Sequence, residues 1–163
     1  MFTIRKSELK DIPEMLKTFA IAVQTMRKNG NLEQWINYPP DGLLEKDIQA
    51  GKSYVIEANG KIAGTFYFAL EEDPTYLVID DGAWLNDKPY AVIHRIAVSR
   101  DSHGKGVAAF IFDSCFARFG NLKIDTHRDN LPMQRALEKR GFIRCGIIHL
   151  ANGDERIAFQ REN

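Results

Sequence analysis

One junction constrains this chain more than any other feature. Residues 103–108, His103-Gly104-Lys105-Gly106-Val107-Ala108, stand between a strand-like run and a long apolar, helix-like run. Residues 90–98 read as a strand, residues 104–119 as a helix and residues 122–126 as a further strand. A strand, helix, strand succession of this length is a crossover, which implies parallel pairing of its two strands. The glycines let the backbone present several N–H groups at the start of the helix. Those groups have no intrahelical partner and lie at the positive end of the helix dipole, so the junction is a natural seat for phosphate.

The other elements frame this crossover. Residues 2–6 alternate as a first strand, and Asp11-Ile12-Pro13-Glu14 has the acid spacing of a capping box, which starts a helix. Ile12, Met15, Leu16, Phe19, Val23 and Met26 trace one face of that helix to Asn29-Gly30 and mark core packing. Residues 31–42 form an irregular aromatic loop with Trp35 and Tyr38, followed by a short helix over 43–50. Asn59-Gly60 joins strands at 54–58 and 61–70, because a type I′ turn needs positive φ at both central residues. Residues 71–88 are acidic and turn-rich and read as a long connection with a short strand at 76–79. Asn130 caps a last helix, Pro132 suits its first turn and Gly141 its exit. Residues 142–150 and 155–161 flank Asn152-Gly153 as a second hairpin.

A length of 163 residues predicts one domain, 1–163. Acidic and basic residues balance at 22 each, so no global field gathers nucleic acid or anionic lipid, and local cations must do any phosphate binding. Cys115 and Cys145 lie in apolar runs rather than in metal-ligand spacing, which points to reduced thiols in a cytosolic protein and to no metal. The N-terminus lacks the apolar core of a signal peptide, and no run approaches the ~18 apolar residues of a membrane span. A soluble, cytoplasmic protein with neither nucleic acid nor membrane as partner is expected.

At residues 103–108 the chain resembles the GNAT superfamily of acetyl-CoA dependent N-acetyltransferases, whose signature is Arg/Gln-x-x-Gly-x-Gly/Ala after a strand. Gly106 and Ala108 match its last two positions, Gly104 and Lys105 the common filling, and His103 stands where Arg or Gln is usual. Residues 130–142 (NLPMQRALEKRGF) are similar to the family's later Asn, helix, Glu-Lys-x-Gly-Phe element. The resemblance implies a mixed α/β fold: a twisted, mostly antiparallel sheet of six or seven strands with a splayed parallel central pair, flanked by about four helices. It implies an N-acetyltransferase that passes an acetyl group from acetyl-CoA directly to a primary amine, of a small molecule, an amino acid or a peptide, in a ternary complex. It further implies that N–H groups of His103, Gly104, Lys105, Gly106, Val107 and Ala108 hold the pyrophosphate, and that Ile96, Ala97 and Val98 bond the pantetheine arm along the main chain. Residues 95–98 and 123–127 would flank the thioester. Asn130 falls at the family's coenzyme-binding Asn, although a helix N-cap explains it equally. The family's usual Tyr, seven residues after that Asn, is Leu137 here, which removes the usual general acid.

Amine acetylation needs a neutral nucleophile, and a lysine-type amine with a pKa of about 10.4 is mostly protonated at neutral pH. His94, two residues before the pantetheine stretch, and His127, at the end of the neighbouring strand, are the catalytic candidates; either also reads as a hydrogen-bonded structural histidine. Glu71, Asp80 and Asp81 can act through water, and Tyr54 and Tyr90 are conceivable acids. Arg100, Lys105, Arg135 and Lys139 are candidate phosphate contacts or plain solvated cations. Trp35, Tyr38, Tyr76 and Trp84 can wall an acceptor pocket, with Trp35 and Tyr38 favoured, or cover a sheet edge or a dimer contact; a monomer and a homodimer both remain open. Two other readings stay open as well. Gly104-x-Gly106-x-x-Ala109 with Asp125 about 20 residues on fits a dinucleotide fingerprint, although five residues separate Val98 from Gly104. A non-catalytic acyl-CoA sensor would explain Leu137.

Overall fold

Alternating side chains form the first strand, β1 (Phe2–Lys6), and the computed structural model, which describes residues 1–163, continues through thirteen further elements counted with three short 3₁₀ turns. These are α1 (Ile12–Lys28), α2 (Leu43–Gln49), β2 (Ser53–Ala58), β3 (Lys61–Leu70), β4 (Ala91–Val98), α3 (Val107–Arg118), β5 (Asn121–Thr126), α4 (Leu131–Lys139), β6 (Ile143–His149) and β7 (Glu155–Glu162), with 3₁₀ turns at Leu9–Asp11, Pro74–Tyr76 and Arg100–Ser102. The seven strands form one sheet in the order β1-β2-β3-β4-β5-β7-β6. Its pairings are antiparallel except β4 with β5, as the crossover requires. No helix is long and apolar enough to cross a membrane. The chain divides into two compact units, Met1–Phe68 with Arg95–Phe110 and Ala69–His94 with Ile111–Asn163.

In the first unit α1 buries Met15 and Phe19 with Leu44, Val55 and Ala97. Removing a side chain of that size from water stabilises by about 2–3 kcal/mol. Asn59 and Gly60 have φ of 53° and 76°, the conformation of a type I′ turn, and this tight hairpin sets the register of β2 on β3. Gly64 on β3 permits close packing, since a Cβ there would lie 3.0 Å from both the Ala97 carbonyl oxygen and a Val107 methyl.

In the second unit Ile111, Phe112, Leu122, Leu137, Ile148 and Phe159 are fully buried. β5 pairs with β7 along its whole length, whereas its parallel pairing with β4 covers only Ala91↔Leu122 and Val92↔Lys123. The splay expected of this pair therefore begins at Ile93.

Three elements differ from the sequence reading. Helix α3 starts at Val107 rather than Gly104, because Gly104 and Gly106 sit at φ of 76° and 86°, outside the helical region. Residues 76–79 form no strand. Asp73 accepts from the Thr75 N–H at 2.9 Å and Pro74 takes the first turn position, so the segment closes into a 3₁₀ turn. Only Asp80 further on makes a bridge, to Ile147. The β6–β7 connection is wider than Asn152-Gly153: Leu150 N–H reaches Asp154 O, and Gly153, at φ 92°, closes a turn onto Leu150 O, each at 2.8 Å.

Candidate functional site

The glycine turn belongs to the first unit. Val98 leads into Ser99, whose N–H is tied to Ala63 O at 2.8 Å, and then into the 3₁₀ turn at Arg100–Ser102. The turn uses two of the six expected phosphate donors itself. The His103 N–H bonds Arg100 O at 3.3 Å and the Lys105 N–H bonds Ser102 O at 3.1 Å. The N–H groups of Gly104, Gly106, Val107 and Ala108 meet no main-chain acceptor. Gly104 and Gly106 face open space, with nothing within 4 Å of where a Cβ would stand. Exposed N–H groups in a left-handed turn, feeding the N-terminus of the twelve-residue α3, fit a diphosphate. Arg100 and Lys105 are exposed beside them and make no ion pair.

Just ahead of this turn, β4 carries an irregularity the sequence did not announce. Arg95 has φ of 55°, a conformation costing a non-glycine residue about 1–2 kcal/mol. The strand's in-out alternation breaks there: His94 and Arg95 are both half-buried, and Ile96 and Ala97 are both buried. The guanidinium is held on both sides. Its Nε and Nη2 each lie 2.9 Å from Oδ2 of the buried Asp47, and its plane covers the Tyr67 ring at 4.5 Å.

Trp35 and Tyr38 stack on one another at 4.5 Å, and both rings lean on Phe19, at 5.4 and 5.9 Å. Arg27 fastens their loop to α1 by donating to the carbonyls of Asn31, Gln34 and Trp35. The pair caps the α1 core with one partly exposed face, a placement that serves packing first.

The second unit gathers most of the acid–base chemistry. His94 Nε2 lies 2.9 Å from Asp73 Oδ2, and Asp73 Oδ1 accepts from both the N–H and the hydroxyl of Thr75, at 2.9 and 2.7 Å. Burial alone would raise the Asp73 pKa, but hydrogen bonds from His94 and Thr75 outweigh it and bring the carboxyl to about 2. The Asp73 N–H donates to the Tyr90 hydroxyl at 2.9 Å. Tyr76 is buried and its hydroxyl donates to Asp125 at 2.6 Å; burial first, and then the Asp125 charge, push its pKa well above that of an ordinary phenol. The Tyr76 ring is 6.0 Å from His94, 6.3 Å from Tyr90 and 5.2 Å from Trp84. Tyr76 and Trp84 are thus neighbours in this cluster, whereas Trp35 and Tyr38 belong to the other unit.

His127 is differently employed. It is buried, and its Nδ1 accepts the Asp129 N–H at 3.0 Å while its carbonyl accepts from Asn130 N–H at 2.9 Å, so the ring braces the turn into α4. Asn130 caps α4, its Oδ1 accepting from Met133 N–H at 3.3 Å. Arg135 and Lys139 are exposed on α4 without ion pairs, and Leu137 is 0% exposed, an ordinary core residue. Sequence reasoning passed over Asp73, and it placed Lys123 only within the 123–127 stretch, with no sign of its burial. The Asp-Pro-Thr turn signal at 73–75 was available for the first, whereas nothing local marks the second.

A family model described as the Acetyltransferase (GNAT) family matches residues 18–142. No curated protein matches the chain. Among solved structures, a GNAT-family acetyltransferase from Streptococcus agalactiae 2603 is 28% identical, with a TM-score of 0.90 over 99% of this chain and 95% of that one. A GNAT-family acetyltransferase from Listeria monocytogenes 4b F2365 shares the fold at 20% identity and a TM-score of 0.72, covering 99% of this chain and 95% of that one. A ribosomal-protein-alanine N-acetyltransferase from Brucella melitensis does so at 18% identity and a TM-score of 0.65, covering 99% of both.

Proposed function

This chain belongs to the GNAT family of acetyltransferases and is an acyltransferase, and from that premise we propose that it acts as one domain, 1–163, transferring acetyl from acetyl-CoA to a primary amine by direct attack in a ternary complex. The observation that carries the reading is the left-handed Gly104-Lys105-Gly106 turn with its four uncommitted N–H groups at the head of α3. Gly104, Gly106, Val107 and Ala108 supply main-chain donors to the diphosphate, while His103 and Lys105 contribute through the turn they close. Arg100 and Lys105, exposed beside the turn, are cations for the phosphates. The main chain of Ile96, Ala97 and Val98, beyond the last β4–β5 pair, takes the pantetheine arm as an added strand. Bound acetyl-CoA supplies the activated acyl carbon. An N–H near Ile96 or Ala97 faces the acyl oxygen and favours the charge that develops on it.

His94 is the general base. Donating Nε2–H to the ionised Asp73 leaves Nδ1 as the basic nitrogen, so Asp73 orients the ring and stabilises the imidazolium formed when the amine gives up its proton. His127 has its Nδ1 committed to the Asp129 N–H and is the weaker candidate. With Leu137 where the family has Tyr, no phenol on α4 protonates the departing thiolate. A thiol of pKa near 8.5 leaves acceptably without one. A reducing cytoplasm suits Cys115 and Cys145, both free and buried.

Thiol release against an amine library, beside calorimetric binding of coenzyme A, tests the proposal. Turnover of one or more amines supports it. Coenzyme A binding with no turnover on any amine would make the chain a sensor, and tighter binding of nicotinamide dinucleotides than of coenzyme A would reassign the turn.

A further inference from the structure

Lys123 stands in the middle of β5, 5% exposed, and makes no ion pair with any carboxylate. Its Nζ lies instead over two aromatic faces, 4.2 Å from the Trp84 centroid and 3.9 Å from that of Tyr90. Buried ammonium groups are ordinarily paired, and ring faces recover only part of what the lost water supplied. Burial accordingly lowers its proton affinity. The charges of Cys145 and Glu72 offset part of that burial without forming an ion pair, while Asp73 is engaged by His94 and Thr75 and Asp125 by Tyr76.

The box around this cation is built rather than incidental. Gln160, 0% exposed, accepts the Leu85 N–H at 2.8 Å and donates to Asn121 Oδ1 at 2.7 Å. Asn121 in turn donates to Asn86 Oδ1 and Pro89 O, each at 3.0 Å. This buried network pins the 84–90 segment, and Trp84 Nε1 is fixed to Tyr76 O at 2.9 Å. Both walls of the box are therefore set before any ligand arrives. Lys123 and Asp125 project from one face of β5, two residues apart. Tyr76 and Tyr90, 6.3 Å apart, span from His94 at one end to Lys123 at the other.

We infer that Lys123 is the anion-recognition residue of the acceptor site, and that the acceptor is an amine that also bears a carboxylate, its amine toward His94 and its carboxylate on the Lys123 ammonium. A single ammonium between two ring faces suits one planar carboxylate, whereas a phosphate calls for several converging donors. The inference rests on the acetyl-transfer reading for its chemistry, but its binding half can be tested apart from turnover.

The common amino acids and their carboxamides form matched pairs, measured by thiol release with acetyl-CoA and by calorimetry with coenzyme A present. The wild-type protein should favour the acid over its amide by about 30-fold or more in kcat/KM and in affinity. Lys123→Met keeps the stem and should bring that ratio close to one, while Lys123→Arg keeps the preference. Equal handling of acids and amides by the wild-type protein overturns the inference without needing any variant, and so does a preference that survives in folded Lys123→Met. Absence of turnover on every pair would end the transfer reading instead; the calorimetric acid-to-amide ratio still decides whether Lys123 reads a carboxylate.

Discussion

Replacing Asp73 by Asn removes one negative charge and leaves a side chain of nearly the same shape, which isolates what the ionised carboxyl does. In the fold Asp73 titrates at about 2 against 3.8 for an ordinary carboxyl. At about 1.4 kcal/mol per tenfold change in proton affinity, its ionised form stabilises the native state by about 2.5 kcal/mol. The folded value lies below the unfolded one, so this stability is complete above about pH 4 to 5 and disappears as the pH falls through the folded value. Urea unfolding at a series of pH values reads it directly. Between neutrality and about pH 3 the wild-type protein should lose about 1 kcal/mol more than Asp73→Asn, and about 2 kcal/mol more by about pH 2. The same substitution leaves His94 without its anionic partner, so kcat should fall about 100-fold on whatever amine the screen identifies, with the coenzyme A affinity held. Parallel acid limbs for the two proteins would refute the claim that the His94 and Thr75 hydrogen bonds hold the carboxyl down, and an unchanged kcat would remove Asp73 from the proton route.

Other substitutions divide the site by function. Gly106→Val meets open space but must hold φ near 86°, so it should cost about 1–2 kcal/mol of stability yet weaken calorimetric coenzyme A binding by more than tenfold; a folded variant with unchanged affinity would discredit the phosphate seat. His94→Gln should lower kcat by about 100-fold or more, while His127→Gln should mainly lower the melting temperature; the reverse pattern would exchange their roles. Gly82→Ala would place its Cβ 1.9 Å from the Cys145 carbonyl oxygen, so the segment crossing β6 must lift, at a cost of about 2–3 kcal/mol. Hydrogen exchange at the Ile147 amide, bonded to Asp80 O at 2.8 Å, should then accelerate, and retained protection would show that the segment shifts without detaching.

The framework was legible where the information is local. The α1 stripe, the Asn59-Gly60 turn and the run from β4 through α3 to β5 follow from periods of 3.6 and 2 and from residues that alone accept positive φ. The same chemistry misled at the start of α3. Gly104-Lys105-Gly106 reads as the first turn of the helical run, yet the left-handed φ values of its two glycines keep it out of the helix. The strand expected at 76–79 failed for a comparable reason: Leu77, Val78 and Ile79 have strand-forming side chains, but Asp73-Pro74-Thr75 closes a capped turn first, and β6 offers a partner only from Asp80 onward.

The site was legible only in its main-chain half. A glycine turn before a helix is visible in the order of residues, because the donors it offers are N–H groups the chain carries everywhere and must merely expose. The side-chain half depends on partners brought together by the sheet. Asp73 and His94 are 21 positions apart, Tyr76 and Asp125 are 49 apart, and no spacing rule relates them. His94 and His127 looked equivalent in sequence, each near the end of a strand beside the crossover. What separates them is the partner each nitrogen meets: a carboxylate that accepts from His94 in one case, a backbone N–H that donates to His127 Nδ1 and occupies its lone pair in the other. Lys123 was hidden most thoroughly, since nothing within Leu122-Lys123-Ile124 distinguishes a buried lysine from a solvated one. It is the buried Gln160–Asn121 network, holding the segment that lays Trp84 and Tyr90 over Lys123, that encloses this cation. An enclosed charge with no ion-pair partner has a physical requirement that a solvated one lacks, and that requirement makes the acceptor's own charge a testable property of this chain.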